Sequence, residues 1–222
     1  MDSIFTTLAT PTGRAIAWID SLFIDHALLR LLWHNTATVT PGQLYRSNHP
    51  TPAQLARLTA RHHLHTVINL RGATRSGSDA LSREQAHKLG LTVLDIPLSS
   101  GHPPTREGMQ RLIQALKTAR RPILLHCKSG ADRSGFAAAI DLILQGAPVA
   151  TAIRQLTWRH GHLARSRAGI LDAFLLTYRR QAESCKPFED WLANDYDEAA
   201  LRKSFAATGL AHFLQAQLLR RE

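Results

Sequence analysis

Short apolar runs alternate with more polar segments through the middle of the chain. Ile123–His126 (ILLH) is apolar almost throughout, as in strands buried on both faces of a parallel sheet. Thr66–Leu70 (TVINL) and Leu91–Leu98 (LTVLDIPL) are rich in β-branched and aliphatic residues and are also predicted strands. The intervening segments predict helices over residues 79–89 and over residues 105–118.

Proline and glycine positions help to predict where the hairpin and several helices begin and end. Pro41-Gly42 within residues 36–48 predicts a short hairpin, and Pro52 begins a helix that reaches about His63. A glycine-containing loop after the ILLH strand leads into a helix from about Ser134 to Leu144. Further helices are predicted over residues 148–158, 167–182 and 197–219.

Strands that alternate with helices indicate an α/β fold. We expect three layers, with a central, mostly parallel sheet of four to five strands flanked by helices. The chain of 222 residues suits one domain with a sizeable core. We predict a helical amino-terminal segment (1–35), a central domain (36–183) and a helical carboxyl-terminal extension (184–222).

Composition and charge narrow the choice of partner. Hydrophobic residues make up 44% of the chain and charged residues 20%, which is ordinary for a globular protein. The net charge of +10 indicates an anionic partner or substrate. Nucleic acid is not the expected partner, because aromatic and basic residues do not interleave and the sequence has no nucleic-acid motif. A phosphorylated substrate explains the charge equally well.

The two cysteines, Cys127 and Cys185, lie in very different contexts, and we do not expect a structural disulfide. Together with the absence of a secretory signal or a transmembrane-length apolar run, this predicts a cytoplasmic protein. Residues 14–33 are rich in large apolar side chains. They form either a helix packed on the domain or a peripheral contact with a membrane surface.

The segment from Cys127 to Gly135 (CKSGADRSG) carries the candidate chemistry. A loop between the carboxyl end of a strand and the start of a helix is where α/β sheets bind ligands. Its successive backbone N–H groups form an anion-binding nest, which the helix dipole reinforces. Gly130 permits backbone angles that a side chain resists, and the planar fork of Arg133 holds two oxygens of a phosphate.

Cys127 lies at the opposite lip of this loop from Arg133. In that positive field we expect a thiolate, which is a nucleophile aimed at phosphorus. The backbone and Arg133 stabilise the developing charge, and neither a metal nor a cofactor is expected. The remaining substrate-binding candidates are loop residues Lys128, Ser129, Gly130 and Ala131.

The pattern Cys-x5-Arg-Ser, preceded by His126, resembles the signature loop of the protein tyrosine and dual-specificity phosphatase superfamily. A further resemblance spans Gly42 to Tyr178 and includes LYRS (44–47) and VINLR (67–71), which are similar to segments of compact bacterial and atypical dual-specificity phosphatases. It implies a dual-specificity-phosphatase-like catalytic domain and hydrolysis of phosphomonoesters through a phosphocysteine. Ser134 resembles the family hydroxyl that assists the thiolate as it leaves, and its alternative is an ordinary helix N-cap. His126 either orients the loop or is a structural histidine.

Several residues are candidates for protonating the leaving group, because this family usually carries an aspartate on a separate loop and Ser99–Pro104 contains none. Asp132 is the first candidate, since a carboxyl group beside a phosphate dianion favours its protonated form. Myotubularin-type and some bacterial lipid phosphatases resemble this arrangement. The alternatives are a helix-capping role for Asp132, and Asp95, His102 or no protein group as the acid.

Other basic residues suggest a wider anion site. Arg71 follows a strand at the same sheet edge as the loop, and it either binds a second anionic group or fixes the loop; Arg46 is a weaker candidate for the same roles. Arg159–Arg167 (RHGHLARSR) forms either a basic rim or a solvated loop. Its histidines have no cysteine or carboxylate partner at zinc-ligand spacing.

The leading hypothesis is therefore a metal-independent protein phosphatase of the dual-specificity type. A lipid, phosphoinositide or inositol-phosphate phosphatase with the same mechanism is the main alternative. A non-catalytic phosphate-binding module and a rhodanese-like sulfur carrier are alternatives of other classes. His126 before the cysteine and Arg133-Ser134-Gly135 after the loop favour the phosphatase.

Overall fold

The computed structural model describes residues 8, 10–21, 35–74 and 76–206. Its strands are β1 (Ala37–Thr40), β2 (Leu44–Ser47), β3 (Thr66–Asn69), β4 (Thr92–Asp95) and β5 (Ile123–His126). They form one five-stranded sheet in the order β1-β2-β5-β3-β4. Only the β1–β2 hairpin is antiparallel among these neighbours. The expected α/β fold with a mostly parallel sheet is confirmed.

The helices flank this sheet on both faces. They are α1 (Pro11–Ile19), α2 (Pro52–His62), α3 (Gly77–Lys88), α4 (Arg106–Thr118), α5 (Asp132–Leu144), α6 (Val149–Ala152), α7 (Ile170–Gln181) and α8 (Phe188–Asn194). Short 3-10 turns cover Ile153–Gln155, Trp158–His160 and Arg167–Gly169, and residues 198–206 are helical.

Alternate side chains of the central strand pack into two separate cores. Ile123 and Leu125 lie in the larger core, which α4, α5, α6, α7 and α8 cover. Leu124 lies on the opposite face, in a smaller core with Leu55 of α2 and Ala86 of α3. Both faces of β5 are therefore buried, which explains its uninterrupted apolar sequence.

Caps and prolines set several element boundaries. The side chains of Thr51 and Thr105 cap α2 and α4 at their amino-terminal ends. Strand β4 is shorter than predicted and ends at Asp95. The amides of Ile96 and Leu98 still bond to β3 and its following residue, but Pro97 between them has no N–H to donate.

The helix predicted over residues 148–158 is replaced by the short α6 and a 3-10 turn. The turn ends where the Gln155 carbonyl accepts a hydrogen bond from Arg46 of β2 instead of continuing a helix. A side chain from a distant strand thus overrides the local helical tendency.

The segment after Pro187 packs onto the main core. Phe188, Trp191, Tyr196 and Leu201 are buried in the same cluster as Phe174 of α7. The division of the chain at residues 35 and 183 stays a prediction. Part of the helix predicted over 197–219 is present as residues 198–206, and its remainder lies outside the described residues.

The amino-terminal helix α1 packs on α3. The backbone of Ala17 approaches Gly77 so closely that a Cβ at Gly77 would lie 2.2 Å from the Ala17 carbonyl oxygen. Arg14 also pairs with Glu84 at 2.9 Å. This part of the predicted segment 14–33 therefore packs on the domain, while residues 22–33 lie outside the described part. Of the helices that could be searched, none is long and apolar enough to cross a membrane.

Candidate active site

The parallel register brings three strand ends to one edge of the sheet. Asn69 of β3 pairs with both His126 of β5 and Asp95 of β4. Ser47 ends β2 on the other side of His126. The loop that starts at Cys127 therefore leaves the sheet at its centre, where α/β folds place their ligands.

Cys127 lies buried inside this loop, with 1% of its surface exposed. The Gly130 amide donates a hydrogen bond to Cys127 Sγ at 3.2 Å, and Ser134 Oγ lies 3.7 Å from the same sulfur. Both groups can stabilise negative charge on the sulfur. The loop thus folds around Cys127 as the sequence predicts.

The residue at position 130 must be glycine for two reasons. Its φ of +76° lies in the left-handed region, which side chains disfavour. In addition, a Cβ at Gly130 would lie 2.5 Å from the Asn48 backbone nitrogen. The loop can therefore pack against the end of β2 only without a side chain at this position.

The start of α5 carries groups that are suited to binding an anion. Ala131 occupies the N-cap position, and no side chain among the described residues caps the helix there. Uncapped amides at a helix start, together with the helix dipole, favour an anion. Arg133 lies in the first turn and donates to the Leu70 carbonyl at 3.4 Å, while Lys128 and Ser129 are exposed at the lip.

Arg46 supports the loop from beneath. It is fully buried and donates to the carbonyls of Gly130 (2.7 Å) and Ala131 (2.9 Å). Burial lowers its pKa to about 10, although the nearby Cys127 and Asp132 oppose this shift. Of the two roles that the sequence leaves open for Arg46, these contacts support fixing the loop. One hint of this role was present in the sequence, because Arg46 is a charged residue within the predicted hairpin segment LYRS.

Arg71 and His126 lie behind the loop at the same sheet edge. Arg71 Nη1 lies 3.3 Å from His49 Nδ1, and the His49 ring makes an edge contact with His126. Burial, reinforced by the positive charge of Arg71, lowers the pKa of His126 to about 3, which leaves its ring neutral at physiological pH. These contacts are consistent with both roles considered for Arg71.

Asp132 forms a pair that the sequence analysis missed. Its Oδ1 lies 2.7 Å from His162 Nδ1, and His162 Nε2 lies 2.6 Å from Asp172 Oδ2 at the start of α7. Burial favours the neutral His162 ring, but the hydrogen bonds to both carboxylates outweigh burial and raise its pKa to about 9. These residues are distant in sequence, and only the density of titratable groups in Arg159–Arg167 hinted at the pair.

The other acid candidates lie in different surroundings. Asp95 Oδ1 accepts hydrogen bonds from Arg83 (2.6 Å) and Asn69 (3.0 Å) on the far side of β3 from the loop. His102 is exposed, and its Nδ1 lies 3.0 Å from Ser99 Oγ. The structure thus brings Asp132 together with Cys127 and Arg133 on one loop, and it engages Asp95 with Arg83.

A basic and partly apolar rim borders the loop. Asn35 donates to the carbonyls of both Ser129 and His160, which ties residues 158–167 to the lip of the site. Arg159, Arg165 and Arg167 are exposed on this rim. Within the described ranges, no group of histidine, cysteine and acidic residues has the arrangement of a metal site.

Comparison with known proteins agrees with this geometry. The sequence model of a family described as "DSP-PTPase phosphatase fused to NAD+ Kinase" matches residues 35–163, which is more than half of the chain. The chain belongs to this family. It is therefore a cysteine-based phosphatase of the dual-specificity type, and both the hypothesis of a cysteine-dependent enzyme and the resemblance to this superfamily are confirmed. No curated protein matches the sequence.

Solved structures support the fold. Pseudomonas aeruginosa TpbA is 22% identical, with a TM-score of 0.53, over 78% of this chain and 91% of TpbA. A putative phosphatase from Shewanella putrefaciens is 19% identical, with a TM-score of 0.52, over 67% of this chain and 93% of that protein. PTPMT1 is 17% identical, with a TM-score of 0.51, over 67% of this chain and 99% of PTPMT1.

Proposed function

We propose that this phosphatase hydrolyses phosphomonoesters without a metal and through a phosphocysteine intermediate. The observation that carries the proposal is the position of Cys127. Its sulfur accepts a hydrogen bond from the Gly130 amide at 3.2 Å. The loop around it ends at the start of α5, which no side chain of the described residues caps. A phosphate bound to those amides would present its phosphorus to the sulfur.

In the first step, the Cys127 thiolate attacks phosphorus and the ester oxygen leaves. Arg133 and the loop amides stabilise the charge on the three remaining phosphate oxygens. Asp132 gives its proton to the leaving oxygen, so the products are an alcohol and phosphocysteine.

In the second step, water attacks phosphocysteine and releases inorganic phosphate. The Asp132 carboxylate, left ionised by the first step, takes a proton from that water. The sulfur departs as a thiolate, and Ser134, 3.7 Å away, can donate its hydroxyl proton in a hydrogen bond to the departing sulfur. The cycle thus uses only groups that are already assembled around the loop.

The proposed substrate is a phosphoprotein. A variant of TpbA was crystallised with phosphotyrosine, which is a finding about that protein. In the present chain, Lys128 and Ser129 are exposed at the lip, and this open access fits phosphorylated side chains of different lengths. We also propose a cytoplasmic location, because both Cys127 and Cys185 are free and a reducing compartment keeps a nucleophilic thiol from forming disulfides.

A polyanionic substrate is the second candidate, and the rim is the observation that favours it. Arg159, Arg165 and Arg167 would add charge contacts to a lipid or inositol phosphate that carries several phosphate groups. Trp158 and Leu163 on the same rim are 76% and 62% exposed, which fits a peripheral contact with a lipid surface.

The mechanism is tested with p-nitrophenyl phosphate in the presence of a chelator. We expect turnover by the wild type and none by Cys127→Ser, because the hydroxyl is a far weaker nucleophile than the thiolate. Cys185→Ser is the matched control, since Cys185 is exposed and distant in sequence from the loop. Equal turnover by wild type and Cys127→Ser, or activity that needs an added metal, would contradict the proposal.

The substrate class is tested by phosphate release from phosphopeptides and from inositol phosphates. A double variant, Arg165→Ala with Arg167→Ala, separates the two candidates. If the substrate is a polyanion, the variant raises KM for inositol phosphates and leaves phosphopeptide turnover unchanged.

A further inference from the structure

We propose that His162 is a positioning residue for Asp132, held as an imidazolium between Asp132 and Asp172, and that it stabilises the carboxylate formed when Asp132 gives up its proton. The inference rests on the proposed role of Asp132 as general acid. It assigns a function to a histidine that the sequence presents only as part of a basic segment.

Three side chains are linked in a row by hydrogen bonds, with His162 in the middle. His162 Nδ1 lies 2.7 Å from Asp132 Oδ1, and Nε2 lies 2.6 Å from Asp172 Oδ2. Each ring nitrogen thus faces one carboxylate oxygen at charge-assisted hydrogen-bond distance. While both carboxylates are ionised they can only accept, so each ring nitrogen must carry a proton and the ring is charged.

The three side chains come from three separate segments. Asp132 begins α5, Asp172 lies in the first turn of α7, and His162 is in the connection between the two helices. Only 1% of the His162 side chain is exposed, whereas the figures for Asp132 and Asp172 are 25% and 15%. The histidine is therefore locked in place, and Asp132 keeps access to the site.

The charge balance fits the two steps of the reaction. While Asp132 carries its proton, that proton is on Oδ2, because Oδ1 accepts from His162. As the proton moves to the leaving oxygen, negative charge grows on Asp132 and its attraction to the imidazolium strengthens. His162 keeps both of its protons throughout, and Asp172 holds the far side of the ring.

The raised pKa of His162 agrees with this arrangement. Hydrogen bonds to the two carboxylates raise it from 6.5 to about 9 against the effect of burial. Asp132 and Asp172 are the charged groups that face the ring from α5 and α7. With both carboxylates ionised the ring is therefore charged at neutral pH, and Asp172 keeps its contact with Nε2 while Asp132 carries a proton.

The first test compares a poor leaving group with a good one. In His162→Gln, kcat/KM for phenyl phosphate is expected to fall about tenfold or more, while kcat/KM for p-nitrophenyl phosphate changes little, because kcat/KM reports the first step and only the poor leaving group needs strong general-acid help there. His87→Gln is the matched control, since His87 is exposed on α3. An equal loss with both substrates, or no loss with either, overturns the proposal.

Asp172→Asn provides an independent variant that preserves His162. Nitrogen-15 spectra of labelled histidine at about pH 8 are expected to show a protonated His162 ring in the wild type and a neutral one in Asp172→Asn. The same variant is expected to share the selective loss on phenyl phosphate. A neutral ring in the wild type overturns the proposal, and Asp172→Asn decides the matter if His162→Gln does not fold.

Stability provides a second readout. The folded-state pKa of His162 is raised, so its contribution is fully present below the unfolded value of 6.5 and is lost as pH rises through about 9. The difference in unfolding free energy between wild type and His162→Gln is therefore expected to shrink from neutral to alkaline pH. A pH-independent difference contradicts a charged ring.

Failure of this inference is distinct from failure of the proposed mechanism. If Cys127→Ser is inactive and Asp132→Asn selectively slows phenyl phosphate, the mechanism holds whatever His162→Gln does. If Asp132→Asn leaves the ratio of kcat/KM for phenyl phosphate to kcat/KM for p-nitrophenyl phosphate unchanged, Asp132 is not the acid. The proposed role of His162 is then wrong as well.

Discussion

At the scale of single residues, the loop depends on the absence of a side chain at position 130. Gly90 and Gly130 have similar positive φ values, +67° and +76°. A Cβ at Gly90 would have no neighbouring atom of the described residues within 4 Å, whereas a Cβ at Gly130 would lie 2.5 Å from the Asn48 backbone nitrogen. The two positions therefore separate the effect of backbone conformation from the effect of a close approach.

Gly130→Ala is expected to lower kcat/KM on p-nitrophenyl phosphate by about 100-fold or more, because the new methyl group displaces the loop that holds phosphate. Gly90→Ala carries the same backbone penalty, about 1 kcal/mol, and is expected to leave kcat/KM unchanged. Steady-state kinetics and urea unfolding of both variants check this. Wild-type kinetics in Gly130→Ala would show that the loop tolerates a side chain.

Several candidate site residues could be picked out from the sequence because their chemistry is local. Cys127, Gly130 and Arg133 lie within one strand-to-helix connection, so their spacing alone indicates a phosphate-binding loop. The contact between His162 and Asp132 was not predictable, since the two residues meet only when α5 and α7 are packed together. The spacing of residues along the sequence does not indicate that contact.

At the scale of elements, strand β2 contributes to the site through Arg46. This strand pairs with β5 and places Arg46 opposite Leu125, while its guanidinium reaches the carbonyls of the loop. Arg46 thus holds the backbone of the loop from its buried side. We therefore expect a change in β2 to affect the candidate site although Arg46 is buried.

Arg46→Met keeps most of the side-chain volume and removes the donors. We expect a loss of stability of about 2–4 kcal/mol, because the Gly130 and Ala131 carbonyls lose buried charged donors. We also expect a large fall in kcat on p-nitrophenyl phosphate, and Arg57→Met on the exposed side of α2 is the control. A folded Arg46→Met with wild-type kcat would contradict a supporting role for Arg46.

The lengths of the elements were predicted less well than their order. Ile123–His126 matches the predicted strand because apolar residues alone define it. The helix predicted over 148–158 failed because the Gln155 carbonyl turns toward Arg46. A local pattern cannot report a contact with a strand more than a hundred residues earlier.

At the scale of the whole molecule, the carboxyl-terminal segment shares the main core. Trp191 is fully buried, its ring packs against Phe174, Tyr178 and Tyr196, and its indole N–H donates to Gln181 at 2.8 Å. The boundary predicted near residue 183 separates segments of sequence, but both sides contribute to one hydrophobic cluster.

Trp191→Ala is expected to lower the unfolding free energy by about 3–5 kcal/mol, since it removes a large buried ring. Because one core is shared, tryptophan fluorescence and far-ultraviolet circular dichroism are expected to report one common transition in the wild type and in the variant. Trp158→Ala, which removes a ring that is 76% exposed, is the control. Two separate transitions would indicate an independent extension.

The carboxyl-terminal segment also holds the loop that lacks the usual aspartate. The Tyr196 hydroxyl donates to the Pro104 carbonyl at 2.7 Å, and Arg106 donates to the Tyr196 carbonyl at the same distance. A loop fastened in this way has little freedom to swing over a bound substrate. If Asp132 is the acid, as we propose, such a swing is unnecessary, and the turnover of this enzyme is expected to be insensitive to solvent viscosity.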